Sequence, residues 1–300
     1  MKNILKLTAG MALAAALTLP VIAQGTSGFW ADPASIDADY LPAMAELNFM
    51  SFGAKLNGHI YLANGAGPHP TVVLLHGFPG NEKNLDLAQA LRRGGFNVLF
   101  FHYRGAWGSE GIFSFGNVVD DVASALTFLR SPEVAAEYRV DQARLSLIGH
   151  SMGGFAALMA GAKDPAVACV GALAPANLGN RPAASMTEEA LAGFAAYTDS
   201  LTMLNTESGQ AVVDEMLDRN KEFDTRALAP KFSERPVMLL AGAQDAVLPP
   251  EIYHVPLVSA YEMHSDIELT HAVLQGDHSF SWTRIELAQT VAEWLTNNCR

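Results

Sequence analysis

An α/β fold, with a mostly parallel central sheet flanked by helices and a helical cap inserted over it, is predicted by three observations. Short apolar runs alternate with helical patterns after about residue 55. The chain has 300 residues, 50% of them hydrophobic and 17% charged, which is enough to bury a continuous core. One apolar run leads into Gly149-His150-Ser151-Met152-Gly153 and then directly into a helical pattern. The alternation matters because parallel neighbours need a crossover connection over one face of the sheet, and a helix supplies it.

The elements follow in chain order. Lys2 and Lys6 accompany an almost charge-free run, Ile4 to Ile22, that ends in small and β-branched residues. Residues 1–23 are therefore expected to be a signal peptide cleaved near Ala23, with a membrane anchor as the alternative reading. Residues 24–42 are expected to be an extended arm. Residues 43–62, punctuated by Gly53 and Gly58, read as an antiparallel hairpin that starts the sheet. Thr71–Leu75, Asn97–His102, Arg144–Ile148, Ala168–Leu173 and Val237–Ala241 are short apolar runs bounded by turn residues, as buried strands are. A further strand-like run covers Ile267–Leu274. Helical patterns cover Glu82–Arg93, Asn117–Leu129, Met152–Ala162 and Trp282–Leu295; Val118, Val122, Ala125, Leu126 and Leu129 share one face of the second. The segment from about 177 to 230 breaks this rhythm, is rich in Ala, Met, Glu and Asp, and reads as the cap. The core domain thus spans 43–300.

Composition excludes several function classes. The net charge is −12, and loss of a leader carrying two lysines and no acids takes it to −14. Nothing resembling a basic patch remains, which argues against nucleic acid or an anionic membrane surface as partner and points to a small molecule. No stable membrane insertion is expected once the leader is removed, and the mature protein is expected outside the cytoplasm, periplasmic or secreted, as a monomer or small oligomer. Cys169 and Cys299 are the only cysteines, and two so far apart match neither a disulfide-dense scaffold nor a zinc site. Cys169 reads as a small buried hydrophobe, although export would permit a bridge between the two.

The chemistry concentrates at the strand–turn–helix. A serine between Gly149 and Gly153 can occupy a sharp turn because the glycines remove side chains that would strike the backbone. The turn lifts the Ser151 hydroxyl above the carboxyl edge of the sheet, next to the unpaired N–H groups of a helix start. A hydroxyl is a weak nucleophile at neutral pH, so a base and an orienting acid are required, and in sites of this kind they follow the serine. Val237–Ala241 ends in Gly242-Ala243-Gln244-Asp245, which puts Asp245 at the same edge. Of the later histidines, His271 lies inside a strand-like run and His254 and His264 flank a helix. His278 follows Gln275-Gly276-Asp277 in a strand-to-helix loop, so it is the candidate base. Asp277 and Ser279 read as turn residues. An oxyanion hole is then needed, each donor stabilising the tetrahedral intermediate by about 3 kcal/mol. The Met152 N–H is one candidate, and the Phe78 N–H, in His76-Gly77-Phe78-Pro79-Gly80, is the other. His76 reads as orienting that loop. No metal or organic cofactor is required.

Weaker signals surround these. In Tyr103-Arg104-Gly105-Ala106-Trp107, Arg104 reads as a structural ion-pair partner, and Trp107 either lines the substrate pocket or packs. Asp120 and Asp121 read as helix-start acids. Met186, Phe194, Tyr197, Met203 and Leu204 either roof the pocket or fasten the cap.

The segments His76-Gly77-Phe78, Gly149-His150-Ser151-Met152-Gly153-Gly154, Gly242-Ala243-Gln244-Asp245 and Gly276-Asp277-His278 resemble their counterparts in the α/β-hydrolase superfamily, over roughly residues 44–297. Within it the chain is similar to serine esterases and to the catalytic domains of prolyl-oligopeptidase-like enzymes. The resemblance implies an α/β-hydrolase fold, a Ser-Asp-His triad and a metal-free acyl-enzyme mechanism on a small-molecule ester. Amide cleavage, acyl transfer and a non-catalytic homologue are the alternatives. The chain departs from the lipase-type His-Gly-Gly-Gly loop at Phe78, which speaks against bulky tertiary-alcohol esters.

Overall fold

The computed structural model describes residues 26–179 and 186–299. The signal-peptide expectation for residues 1–23 lies outside the described residues. The chain opens the sheet with a hairpin, β1 (Ala43–Ser51) and β2 (Ala54–Leu62), and continues through β3 (His69–Leu75), α1 (Leu85–Arg93), β4 (Asn97–Phe101), α2 (Phe115–Leu129), α3 (Pro132–Glu137) and β5 (Val140–His150). Then come α4 (Met152–Lys163), β6 (Cys169–Leu173), α5 (Glu188–Asp199), α6 (Gly209–Asp218), β7 (Pro236–Gly242), α7 (Pro250–Glu262), β8 (Glu268–Leu274) and α8 (Arg284–Asn298). The eight strands form one sheet in the order β1-β2-β4-β3-β5-β6-β7-β8. β1, β2 and β4 pair antiparallel, and every pairing from β4 through β8 is parallel.

Strand periodicity divides the core in two. Successive side chains of a strand point to opposite faces, so in β3 Val73 and Leu75 join the core under α2, α4 and α7, while Val72 and Leu74 join the core under α1 and α8. Both faces are covered, which is why the central strands are apolar throughout. Because the parallel strands share one direction, the loops after β3, β4, β5, β7 and β8 gather at one edge, and the chemistry-bearing residues lie there.

Several boundaries differ from expectation for local reasons. α1 starts at Leu85 because Asn84 has φ 54°, outside the helical region. α2 starts at Phe115, where Ser114 Oγ accepts the Asn117 N–H. Asp120 and Asp121 therefore fall in its second turn and do not face the helix start. Asp121 is buried and receives Arg104 Nε at 2.5 Å, the Arg104 N–H at 2.7 Å and Ser51 Oγ at 2.6 Å. Burial pushes its carboxyl up, with these donors opposing the shift. α3, unnoticed in the sequence, is started by Ser131 and by Pro132 at its first position. His254 lies inside α7, not at its edge. α8 begins two residues later than expected, since Asp277 accepts the N–H groups of Ser279 and Ser281 and holds the preceding residues in a loop.

The described part of the N-terminal segment is not simply extended. Thr26–Phe29 form a short 3-10 turn, and Phe29 is buried beside α1 and α8. Its ring fills the space over Gly94, where any side chain would collide with it. Cys169 also needs correction: it is not a lone buried thiol but is bonded to Cys299, tying the start of β6 to the end of α8 across 130 residues of sequence.

Between β6 and β7 the chain leaves the body and returns, carrying α5, α6 and a 3-10 segment, Thr225–Phe232. The two stems are clasped: the Gly179 N–H donates to Phe223 O at 3.1 Å, and Asn177 Nδ2 donates to Asp224 Oδ1 at 2.9 Å. Glu215 of α6 accepts the N–H groups of Phe115 and Gly116 at 2.7 and 3.0 Å, adding a carboxylate to the N-terminus of α2. Among the described residues no helix is long and apolar enough to cross a membrane.

Candidate active site

Ser151 stands between β5 and α4 with φ 56° and ψ −119°, a conformation that non-glycine residues rarely adopt. It is held there by its neighbours. The Ser151 N–H donates to Leu173 O at 2.9 Å, and Ser151 O accepts the Ala176 N–H at 3.0 Å, so the end of β6 clamps both sides of the turn. A side chain on Gly149 would collide with Gly153 O, and one on Gly153 would collide with Leu75 O. Both glycines are thus required by close approach of backbone.

His278, in the loop between β8 and α8, bridges the serine and the acid. Its Nε2 is 3.0 Å from Ser151 Oγ and its Nδ1 is 2.7 Å from Asp245 Oδ2. A carboxylate accepts, so the tautomer that fits has the hydrogen on Nδ1 and leaves Nε2 free to accept the serine hydroxyl. Asp245 follows β7, and its side chain is fully buried. Its other oxygen accepts the N–H groups of Val247 and Leu248 at 2.8 and 2.7 Å, which fixes the carboxylate plane. Gly242 allows the two loops to meet, since a Cβ there would lie 2.5 Å from Asp277 O.

The remaining candidates take distinct positions. Met152 is the first residue of α4, and N–H groups in a first helical turn have no partner within the helix. Gly77 lies against Ser151, a Cβ on it falling 3.0 Å from Ser151 Cβ, so the loop continuing to Phe78 passes beside the hydroxyl. The Phe78 ring packs among Phe113, Phe115, Phe194 and Tyr197, with centroid separations of 5.5–6.3 Å. Phe194 and Tyr197 belong to α5, so the inserted segment covers this loop. Trp107 does not stand free as a pocket wall: its Nε1–H donates to Pro79 O at 2.7 Å and its ring stacks on His102. Among the described residues no group of three or more His, Cys, Asp and Glu could hold a metal ion.

His76 is buried, with Nδ1 2.8 Å from Gly77 O and Nε2 3.3 Å from His102 Nδ1. Burial lowers its pKa to about 4. His254, buried on α7, is also lowered to about 4, chiefly by burial. His271, on β8, lies 3.4 Å from Glu262 and takes no part in the Ser151 constellation. One contributor escaped the sequence reading. His150, the residue before Ser151, sends Nε2 to His278 O at 2.7 Å. Gly-x-Ser-x-Gly leaves its second position open, so no motif signals that contact.

A family model described as the alpha/beta hydrolase family matches residues 72–293. Thiohydrolase apmlB of Arthrinium phaeospermum is 30% identical over 128 residues, which is 41% of this chain and 40% of that protein. The Pyrococcus furiosus esterase Pf2001 superposes with a TM-score of 0.65 at 18% identity, covering 90% of this chain and 98% of that one. Est1E from Butyrivibrio proteoclasticus, solved with ferulic acid bound, superposes with a TM-score of 0.62 at 17% identity, covering 84% and 98%. At such identities the structural matches speak to the fold.

Proposed function

Because the chain belongs to the alpha/beta hydrolase family, we propose that it is a serine hydrolase that cleaves a carboxylic ester of a small or medium molecule through an acyl-enzyme on Ser151. The observation that carries this reading is His278, in hydrogen-bond reach of Ser151 Oγ on one nitrogen and Asp245 on the other. In acylation His278 takes the hydroxyl proton as Ser151 Oγ bonds to the ester carbonyl carbon. The buried Asp245 carboxylate stabilises the imidazolium that results. The carbonyl oxygen becomes an oxyanion that the Phe78 and Met152 N–H groups stabilise. Collapse breaks the ester C–O bond, and His278 returns the proton to the departing alkoxide. Water then repeats the sequence on the acyl-serine, releasing the acid and restoring the hydroxyl.

The aromatic surroundings of Phe78 favour an apolar acyl or alcohol group, and the net charge of −12 disfavours polyanionic substrates. We place the mature protein outside the cytoplasm. The leader-like residues 1–23 support this, and so does the Cys169–Cys299 bridge, since disulfides persist in oxidising compartments. The likeness to a thiohydrolase supports testing thioesters beside oxygen esters.

The test is a fluorophosphonate probe followed by matched ester, thioester and amide substrates of graded acyl length. Stoichiometric labelling at Ser151, and loss of turnover on the order of 10⁶-fold in Ser151→Ala, are expected. Labelling elsewhere, or turnover that survives the substitution, overturns the reading.

A further inference from the structure

The loop from His76 to Gly80 has three of its carbonyl oxygens held by side chains. Tyr103 Oη donates to His76 O at 3.0 Å, His76 Nδ1 to Gly77 O at 2.8 Å, and Trp107 Nε1 to Pro79 O at 2.7 Å. A peptide carbonyl and the N–H that follows it share one rigid plane and point in opposite directions. The Phe78 N–H therefore points away from the Gly77 O that His76 holds, and it keeps that direction while the chain on the far side of Phe78 is held as well. Tyr103 and His76 act on the incoming side; on the outgoing side the described anchor is the Trp107 indole.

Trp107 is itself held in place. Its φ of 50° lies in the left-handed region, which a bulky side chain adopts only when its surroundings impose it. The surroundings do so. The Trp107 N–H donates to Met203 O at 2.8 Å, the Asn205 N–H donates to Gly105 O at 2.6 Å, and the Phe113 N–H donates to Asn205 O at 2.8 Å. At the root of the loop, Arg104 is paired with buried Asp121. The indole stacks on His102 at 5.7 Å between centroids, and Lys83 Nζ lies over the ring, 4.1 Å from its centroid. Gly80 completes the fit: a Cβ there would stand 2.6 Å from Trp107 Nε1, so this close approach demands glycine.

We propose that Trp107 is a positioning residue for the oxyanion loop, its indole N–H holding Pro79 O so that the Phe78 N–H faces the nucleophile. The inference rests on the serine-hydrolase reading above. It assigns the indole to catalytic geometry and not to contact with substrate. A lost anchor then weakens transition-state stabilisation while leaving ground-state binding nearly intact.

The experiment compares wild type with Trp107→Phe, which keeps an aromatic ring and deletes the donor. Ester kinetics are measured beside the Ki of a boronic acid that mimics the tetrahedral adduct. The expected result is a kcat reduced at least tenfold, a KM within about threefold of wild type, and a boronate Ki raised by the same factor as the fall in kcat/KM. Trp107→3-benzothienylalanine, which keeps the bicyclic shape and has sulfur in place of the N–H, is a second route to the same pattern if Trp107→Phe does not fold. An unchanged kcat, or a raised KM with kcat intact, overturns the proposal while Ser151-dependent turnover stands. Wild-type turnover that survives Ser151→Ala removes the hydrolase reading and this inference together.

Discussion

The imidazole of His150 donates its Nε2 hydrogen to the main-chain oxygen of His278 at 2.7 Å. The residue before Ser151 therefore fixes the backbone of the candidate base. Because a carbonyl can only accept, Nε2 carries the hydrogen, and the buried Nδ1 is left without a partner. A proton on that nitrogen would be stranded, and burial accordingly lowers the His150 pKa to about 4. The neutral ring persists at neutral pH.

His150→Phe, which keeps an aromatic of similar breadth and deletes the donor, should lower kcat by on the order of tenfold or more. KM should move less, since the base is displaced and no substrate contact is lost. His150→Gln, which can still donate, should recover part of the loss. Steady-state ester kinetics on the three proteins decide this, and equal kcat values would show that the contact is idle.

Replacing each later histidine by glutamine separates the base from its neighbours. His278→Gln should abolish ester turnover in a folded protein. His254→Gln, His264→Gln and His271→Gln should remain within about tenfold of wild type, since each loses packing or a hydrogen bond away from Ser151. Circular dichroism beside the kinetics distinguishes lost chemistry from lost fold.

Acid should destabilise the protein well before its carboxylates protonate. His76 and His150 are held at about 4, His102 at about 3 and His254 at about 4, each chiefly by burial, against an ordinary value of 6.5. Between pH 6.5 and 4 the unfolded chain binds protons that the folded chain refuses, so folding stability falls as pH falls through that window. For the fully buried His76 and His150 the loss is on the order of 3 kcal/mol each. Urea midpoints measured from pH 7.5 to 4.5 should decline steadily, and a flat profile would contradict the burial of these rings.

Removing the cross-link should cost stability more than activity. The Cys169→Ser, Cys299→Ser double variant should lose about 2–5 kcal/mol of unfolding free energy, as loss of a bridge closing a long loop does. Reductant should bring wild type to the level of the variant. Denaturant titrations with and without reductant test this, and coincident curves for the oxidised wild type and the variant would refute it.

The parallel sheet was legible because its central strands are buried on both faces, so Val72–Leu75 and Val237–Ala241 read as uninterrupted apolar runs. Ser151, Asp245 and His278 could be picked out because strand ends and glycine turns are local patterns, and a shared sheet edge turns local patterns into proximity. Relationships without a local pattern were not legible. Nothing near Cys169 announces a partner 130 residues away. Asp121 reads as a helix acid until the fold brings Arg104 and Ser51 to it. The position of Trp107 depends on Pro79 and Met203, both far from it in sequence.

The clasp joining Gly179 to Phe223 and Asn177 to Asp224 makes the excursion between β6 and β7 a cassette with a single neck. Its sequence can diversify without moving the strands that carry Ser151, Asp245 and His278. The cassette is not wholly autonomous, because Met203 and Asn205 are hydrogen-bonded to the loop that contains Trp107. The unit that evolution or a protein engineer can exchange is therefore a matched pair, residues 179–223 together with 103–116, since Glu215 also accepts the N–H groups of Phe115 and Gly116. A graft of the first without the second would import a new roof while unfastening the floor beneath it.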